Sequence, residues 1–259
     1  LHWFGRPMKF WASFAGLFTL VFNIFRFISI SYDAKYGVSR YYNDDRCRQT
    51  PQKTISDPYL WKYNKLLKVA HPDWSHDKLI EKEVAFLEDN YKHIKKWHDD
   101  NVKLTCEHPE QTTSLESGNW KRIAIYGVHG WNKNFDSALS DKIKANCRVA
   151  YNHGLVFFSK TGADTKIIGH TGSSNLRIRL HLGIDVPYKN KTIMRVAREK
   201  LRWENGNVIA FDDSFFHSSE NSSSRNRTVF ILDIFNPHLS DLECDFLKLD
   251  VIKNLGKIK

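Results

Sequence analysis

HTGSSNLRIRLHLGIDVP, residues 170–187, passes within a few positions from turn formers to a strict alternation of apolar and polar side chains. A strand turns successive side chains to opposite faces, so Leu176, Ile178, Leu180 and Leu182 point one way and Arg177, Arg179 and His181 the other. The first face is a core. The second is a row of potential cations, and like charges aligned on a strand are costly unless something anionic lies among them. Taken alone, that row reads as a solvated face; its surroundings turn the reading toward an anion pocket. His170 stands at the end of an apolar strand before the turn residues, and VIAFDDSFFH, residues 208–217, sets His217 just after another. Arg227 opens a further strand. Two imidazoles and a guanidinium at strand ends have the spacing logic of a non-haem iron site that also holds an oxoacid carboxylate.

Outward from this stretch the period stays near two. Strands are expected at residues 122–126, 155–159, 166–169, 176–184, 192–196, 208–211 and 227–234. Many short strands with turn signals such as Glu204-Asn-Gly-Asn predict an antiparallel sandwich or barrel. Before them, Ile80, Val84, Leu87, Tyr91 and Ile94 recur at helical spacing, with Ser75 as the expected cap. After them, Leu242, Phe246, Leu249 and Ile252 predict an outer helix over residues 239–255, and a short helix is expected near residues 59–69.

Residues 10–30, FWASFAGLFTLVFNIFRFISI, come close to the ~20 residues that cross a bilayer core. A membrane anchor over residues 1–32 is therefore expected, then a connector and helical region over 33–117 and a β domain over 118–259. Basic residues flank both sides of the apolar run, so its orientation stays open. Sequons at Asn190, Asn221 and Asn226 favour a lumenal domain on a single-pass protein of the endoplasmic reticulum, although about two arise by chance in such a composition. The four cysteines, Cys47, Cys106, Cys147 and Cys244, are too few for a disulfide scaffold and lack zinc-site spacing. A net charge of +10 suits acidic partners, yet the patterned basic residues point into the expected pocket, which argues against nucleic acid.

The block at residues 170–187 and VIAFDDSFFHSSENSSSRNRTVFILDIFNPHL, residues 208–239, resemble the aspartyl/asparaginyl beta-hydroxylases, which depend on iron(II) and 2-oxoglutarate. Asn119-Trp120-Lys121 and Phe157-Phe158-Ser159 extend the likeness to roughly residues 119–239. The resemblance implies a double-stranded β-helix of the jelly-roll type. It implies His170 and His217 as metal ligands, and Arg227 with Ser159 on the distal carboxylate of 2-oxoglutarate. Arg179 and His181 would serve the proximal end; Arg225, the rival of Arg227, lies inside the loop. Gly172 occupies the position where most such oxygenases carry an iron-binding carboxylate, and glycine is usual there in this family. Asp212 and Asp213 read as structural or as hydrogen-bond acceptors around the ligands.

The reading is a dioxygenase hydroxylating an unactivated carbon, with the β carbon of Asp or Asn in a protein as the first candidate. The alternatives are a lipid acyl-chain hydroxylase and a non-catalytic binding protein that keeps the fold.

Overall fold

A computed structural model describes residue 66 and residues 69–127, 129–172, 175–188 and 190–248. Twelve strands appear in these residues: β1 (Cys106–Glu107), β2 (Leu115–Ser117), β3 (Trp120–Gly127), β4 (Gly130–Trp131), β5 (Val156–Thr161), β6 (Thr165–His170), β7 (Arg177–Asp185), β8 (Thr192–Val196), β9 (Glu199–Arg202), β10 (Val208–Phe211), β11 (His217–Asn221) and β12 (Arg227–Phe235). The larger sheet runs β1-β3-β5-β12-β7-β10, with β4 on β3, and the smaller runs β2-β6-β11-β8-β9. Every ladder in both sheets is antiparallel. From β5 onward, successive strands divide between the sheets in the order of two wound Greek keys, the double-stranded β-helix.

The larger sheet is buried on both faces. Ile178, Leu180, Leu182 and Ile184 of β7 join Phe158, Phe230, Leu232 and Ile234 in one cluster with Ile80, Leu87, Ile94 and Trp97 of the helical segment. The opposite face meets the smaller sheet through Phe157, Val229 and Ile231, against Met194, Val196, Leu201 and Trp203. This explains why β12 is buried at every position and loses any alternation. On β7 the apolar face looks outward to the helices. The polar face looks into the jelly roll.

Strand β9 and the strand character of β11 escape sequence reading, because Ser218-Ser219-Glu220-Asn221 lacks apolar alternation. The expected helix after Ser75 forms as a 3-10 turn, Lys78–Ile80, then α1 (Glu81–Asp89) and α2 (Tyr91–Asp100), broken at Asn90. Ser75 is not its cap. Asp77 accepts from Leu79 N, while Ser75 Oγ accepts from Ala210 N at 3.1 Å and donates to Ala210 O at 3.3 Å. With Trp74 N donating to Ala210 O at 2.8 Å, this segment covers the free edge of β10. In α3 (Asp241–Lys248), Leu242 is 68% exposed and Cys244 and Leu247 face the core, so the inward face differs from the one expected. The neighbour they meet, the residue 66 and β12 cluster, cannot be read from a helix period alone.

Gly183 is required by a close approach: a Cβ there would lie 2.0 Å from Glu204 O. The proposed anchor at residues 10–30 and most of the expected helix at 59–69 lie outside the described residues. Among the described residues no helix is long and apolar enough to cross a membrane, and Cys106, Cys147 and Cys244 are free thiols.

Ser75→Ala removes both bonds to Ala210 and bares one main-chain N–H. We expect a loss of about 1–2 kcal/mol in urea unfolding, with the denaturant slope unchanged.

Candidate active site

Sheet pairing sets the two histidines side by side. His170 ends β6, His217 begins β11, and the two are register partners with ring centroids 4.3 Å apart. His170 Nδ1 lies 2.9 Å from Ile168 O, and His217 Nδ1 lies 2.8 Å from Phe215 O. A carbonyl only accepts, so each Nδ1 carries the proton and Nε2 is the nitrogen able to coordinate. Burial, and then the neighbouring His170, push His217 well below the ordinary histidine range, so it stays a neutral imidazole. Among the described residues no group of three or more His, Cys, Asp or Glu is placed to hold a metal. Among the described residues no carboxylate completes the pair.

Gly172 shows why. A Cβ there would lie 2.5 Å from Cγ and both carboxylate oxygens of Asp213, so the space a ligating side chain would fill belongs to Asp213. Asp213 Oδ2 accepts from Arg177 at 2.8 and 3.2 Å. Its Oδ1 is buried and has no hydrogen-bond partner. Burial opposes its ionisation, but Arg177 and Arg179 outweigh that and hold the carboxyl below its usual range. Asp212 goes the other way. Fully buried, it is pushed up to about 7, with only Ser214 offering compensating bonds.

The cation row on β7 is largely neutralised from inside the fold. Arg179 Nε and Nη2 donate to the two oxygens of Asp233 at 2.7 and 2.8 Å, across the β7–β12 register pair. Asp213 lies 3.5 Å from Arg179 Nη1. Burial disfavours the Arg179 charge, yet Asp233 and Asp213 outweigh it and raise its pKa. Arg179 thus lines the pocket already held by a carboxylate, instead of presenting the open cation expected from alternation. Asp233 was missed by sequence reading. Its signal was a lone Asp in the apolar run Ile231-Leu232-Asp233-Ile234, a charge that must be paired if that strand is central.

Arg227 differs. It is 3% exposed, its Nε donates to Thr161 Oγ1 at 3.1 Å, and its guanidinium lies 4.3 Å from the Trp203 ring centroid. No carboxylate faces it among the described residues, and burial alone lowers it to about 9. Arg225 is exposed and 3.9 Å from Asp185, so the loop arginine is outside the pocket. Ser159 Oγ accepts from Trp120 Nε1 at 3.0 Å, which turns its own proton elsewhere. His181 Nδ1 accepts from Trp203 Nε1 at 3.3 Å, so Nε2 carries the proton; that atom is buried with no partner. Burial, then Arg179 and Arg227, keep His181 neutral. Trp203, also missed, is fully buried between His181 and Arg227.

These side chains line one cavity of about 150 Å³: His170, His217, Arg227, Ser159, Arg179 and His181 all border it. The fold and the cavity together define a double-stranded β-helix whose interior sets two imidazoles beside an arginine that no carboxylate faces among the described residues. Residues 75–237 match the family described as Aspartyl/Asparaginyl beta-hydroxylase, and the chain belongs to that family. It is 30% identical to the aspartyl/asparaginyl beta-hydroxylase of Mus musculus over 186 residues, 69% of this chain and 22% of that protein. The chain therefore spans about a fifth of the length of that relative. It is 36% identical over 69 residues, 26% of this chain and 25% of the relative, to the ornithine lipid ester-linked acyl 2-hydroxylase of Rhizobium tropici. A Pseudomonas putida prolyl-4-hydroxylase structure aligns over 59% of this chain and 87% of its own, with a TM-score of 0.40 and 11% identity.

Two outcomes follow. Gly172→Asp will collide with Asp213 and disturb its bonds to Arg177, costing about 1–3 kcal/mol in chemical denaturation instead of installing a third ligand. For Asp212, whose folded pKa is raised, the folded state keeps a proton that the unfolded chain has released. Stability then falls as pH rises from about 4 to about 7 and levels above. Asp212→Asn should abolish that fall in stability-versus-pH titrations, while the loss below about pH 4 caused by the depressed Asp213 remains.

Proposed function

We propose that this chain is an iron(II)- and 2-oxoglutarate-dependent dioxygenase that hydroxylates an unactivated carbon, with the β carbon of Asp or Asn in a protein as its target. The observation that carries this is the unmatched polarity of the cavity. Among the described residues Arg227 has no carboxylate partner and His181 Nε2–H no acceptor, although both are buried at considerable cost. A dicarboxylic oxoacid supplies what each lacks. The two imidazoles, each donating from Nδ1 to a main-chain carbonyl and so turning Nε2 to the cavity, suit a divalent iron, and the donor set fits the group.

In that reading His170 and His217 hold the metal through Nε2. The distal carboxylate pairs with Arg227, and Ser159, accepting from Trp120, has its hydroxyl proton to donate. His181 donates from Nε2 at the proximal end. Arg179, held by Asp233, contributes a fixed positive field there. Asp213 Oδ1 stands beside Gly172 as an acceptor for a proton of bound solvent. Iron with 2-oxoglutarate and dioxygen supplies the oxidising power to hydroxylate a C–H bond; the protein supplies orientation and dryness. Trp203, Phe211 and Ile231 line the cavity and limit water within it. The apolar segment at residues 10–30 is proposed to anchor the chain in a membrane, with the domain on the lumenal side of the endoplasmic reticulum. The likeness to the Rhizobium tropici acyl hydroxylase supports a lipid substrate as the second reading.

The test is to load the full chain anaerobically with Fe(II) and 2-oxoglutarate, admit oxygen and measure succinate, with His170→Ala and Arg227→Ala alongside. Succinate should be lost in the first. In the second, the 2-oxoglutarate KM should rise about fiftyfold, the loss of one buried charge-assisted pair. Succinate unchanged in both variants would overturn the assignment.

A further inference from the structure

Strand β9 is an edge of the smaller sheet, and the β8–β9 turn lies at the same end of that sheet as the histidine pair. Val196 is register partner of both His217 and Glu199, and Ala197 N donates to Phe216 O at 2.9 Å. This hairpin is basic. Arg195, Arg198 and Lys200 are exposed, and Arg195 and Lys200 stand directly opposite each other across the ladder. Like charges in that relation are destabilising. Among the described residues none of the three forms an ion pair, in contrast to Lys166, which meets Glu116 at 2.9 Å on the same sheet.

Lysine on an edge strand can serve simply to block edge-to-edge pairing. That role accounts for Lys200; it does not account for Arg195 on the interior strand β8 or Arg198 on the turn. The β10 edge of the larger sheet is handled differently, since residues 73–75 cover it. No described residue outside β8 hydrogen-bonds the main chain of β9. An uncovered edge offers main-chain donors and acceptors to an extended segment, and the cations beside it select the sign of that segment's charge.

We propose that the β8–β9 hairpin docks an extended acidic polypeptide, a stretch of the protein substrate flanking the residue to be hydroxylated, and so delivers that residue to the cavity. This rests on the proposed hydroxylase reading. A bilayer surface suits the hairpin less well. Its tip is Ala197-Arg198-Glu199, and the exposed large hydrophobic residues of the described chain, Leu79, Val102, Tyr188 and Leu242, all lie elsewhere. Arg195, Arg198 and Lys200 thus act as specificity determinants that touch the substrate away from the reacting carbon.

The test measures binding and turnover separately on the full chain, for the parent and for the double variant Arg198→Glu with Lys200→Glu. The probes are a fluorescein-labelled peptide with Glu at alternate positions, its Lys counterpart, and vesicles of equal parts phosphatidylcholine and phosphatidylserine. The parent should bind the acidic peptide and not the basic one, with affinity falling steeply as salt rises. The double variant should bind it about tenfold more weakly while retaining the parent's peptide-independent succinate formation and thermal midpoint. Equal affinity of parent and variant for the acidic peptide, or loss of vesicle binding in the variant with no peptide binding in the parent, would overturn the proposal. Peptide binding that follows the charges in a chain that forms no succinate would sustain the docking surface and sink the hydroxylase reading instead.

Discussion

The buried pairing of Arg177 and Arg179 with Asp213 and Asp233 is the constraint around which the interior is arranged. Two guanidinium groups on one face of β7 would otherwise repel each other in the buried interior, where solvent screens charge poorly. Asp233 reaches Arg179 from the neighbouring strand β12, and Asp213 reaches Arg177 from the segment after β10. Both aspartates also tie down main chain: the Asp233 carboxylate accepts from Leu155 N at 2.9 Å through Oδ2, and the main-chain carbonyl of Asp213 accepts from Gly172 N. The strands around β7 are thereby tied together by one charge network, and the loop after His170 is held to the same segment through main chain. Removing a single member would leave an uncompensated buried charge, which is far more costly than the net worth of the pair.

With Arg177 and Arg179 answered from within, Arg227 is the cavity cation that no carboxylate faces among the described residues. Arg227 is stacked on Trp203 and braced by Thr161, so its direction is set before any ligand arrives. The same Trp203 fixes the tautomer of His181. One indole therefore organises both ends of the proposed oxoacid site, and its burial between them couples their positions. The histidine pair is organised by a different device, main-chain carbonyls at Ile168 and Phe215 that select Nδ1 as donor in both rings.

The missing third ligand illustrates how a local motif and a tertiary neighbour decide together. Glycine at position 172 looks like an absence in the sequence. In the fold it is a vacancy filled by Asp213, a residue on another segment whose carboxylate is pulled toward Arg177. The contrast between Asp212 and Asp213 is equally tertiary: adjacent acids, both fully buried, one held ionised by two arginines and the other pushed toward its neutral form.

Alternation in residues 176–184 was enough to place Arg177, Arg179 and His181 on one face and to define a β-rich fold, because the two-residue period of a strand is a local property of the chain. The blocks around His170, His217 and Arg227 were likewise legible, since their residue types and intervals carry the family resemblance. Helical spacing revealed the segment around Ile80 to Ile94 but not its cap, because Ser75 is drawn into bonding Ala210, 135 positions away. Nor could spacing show that Arg179 is already paired, that Asp233 and Trp203 belong to the site, or that β11 is a strand. Those facts depend on which strands become neighbours, and the winding of the two sheets, not any local pattern, brings residues dozens of positions apart to within a hydrogen bond of one another.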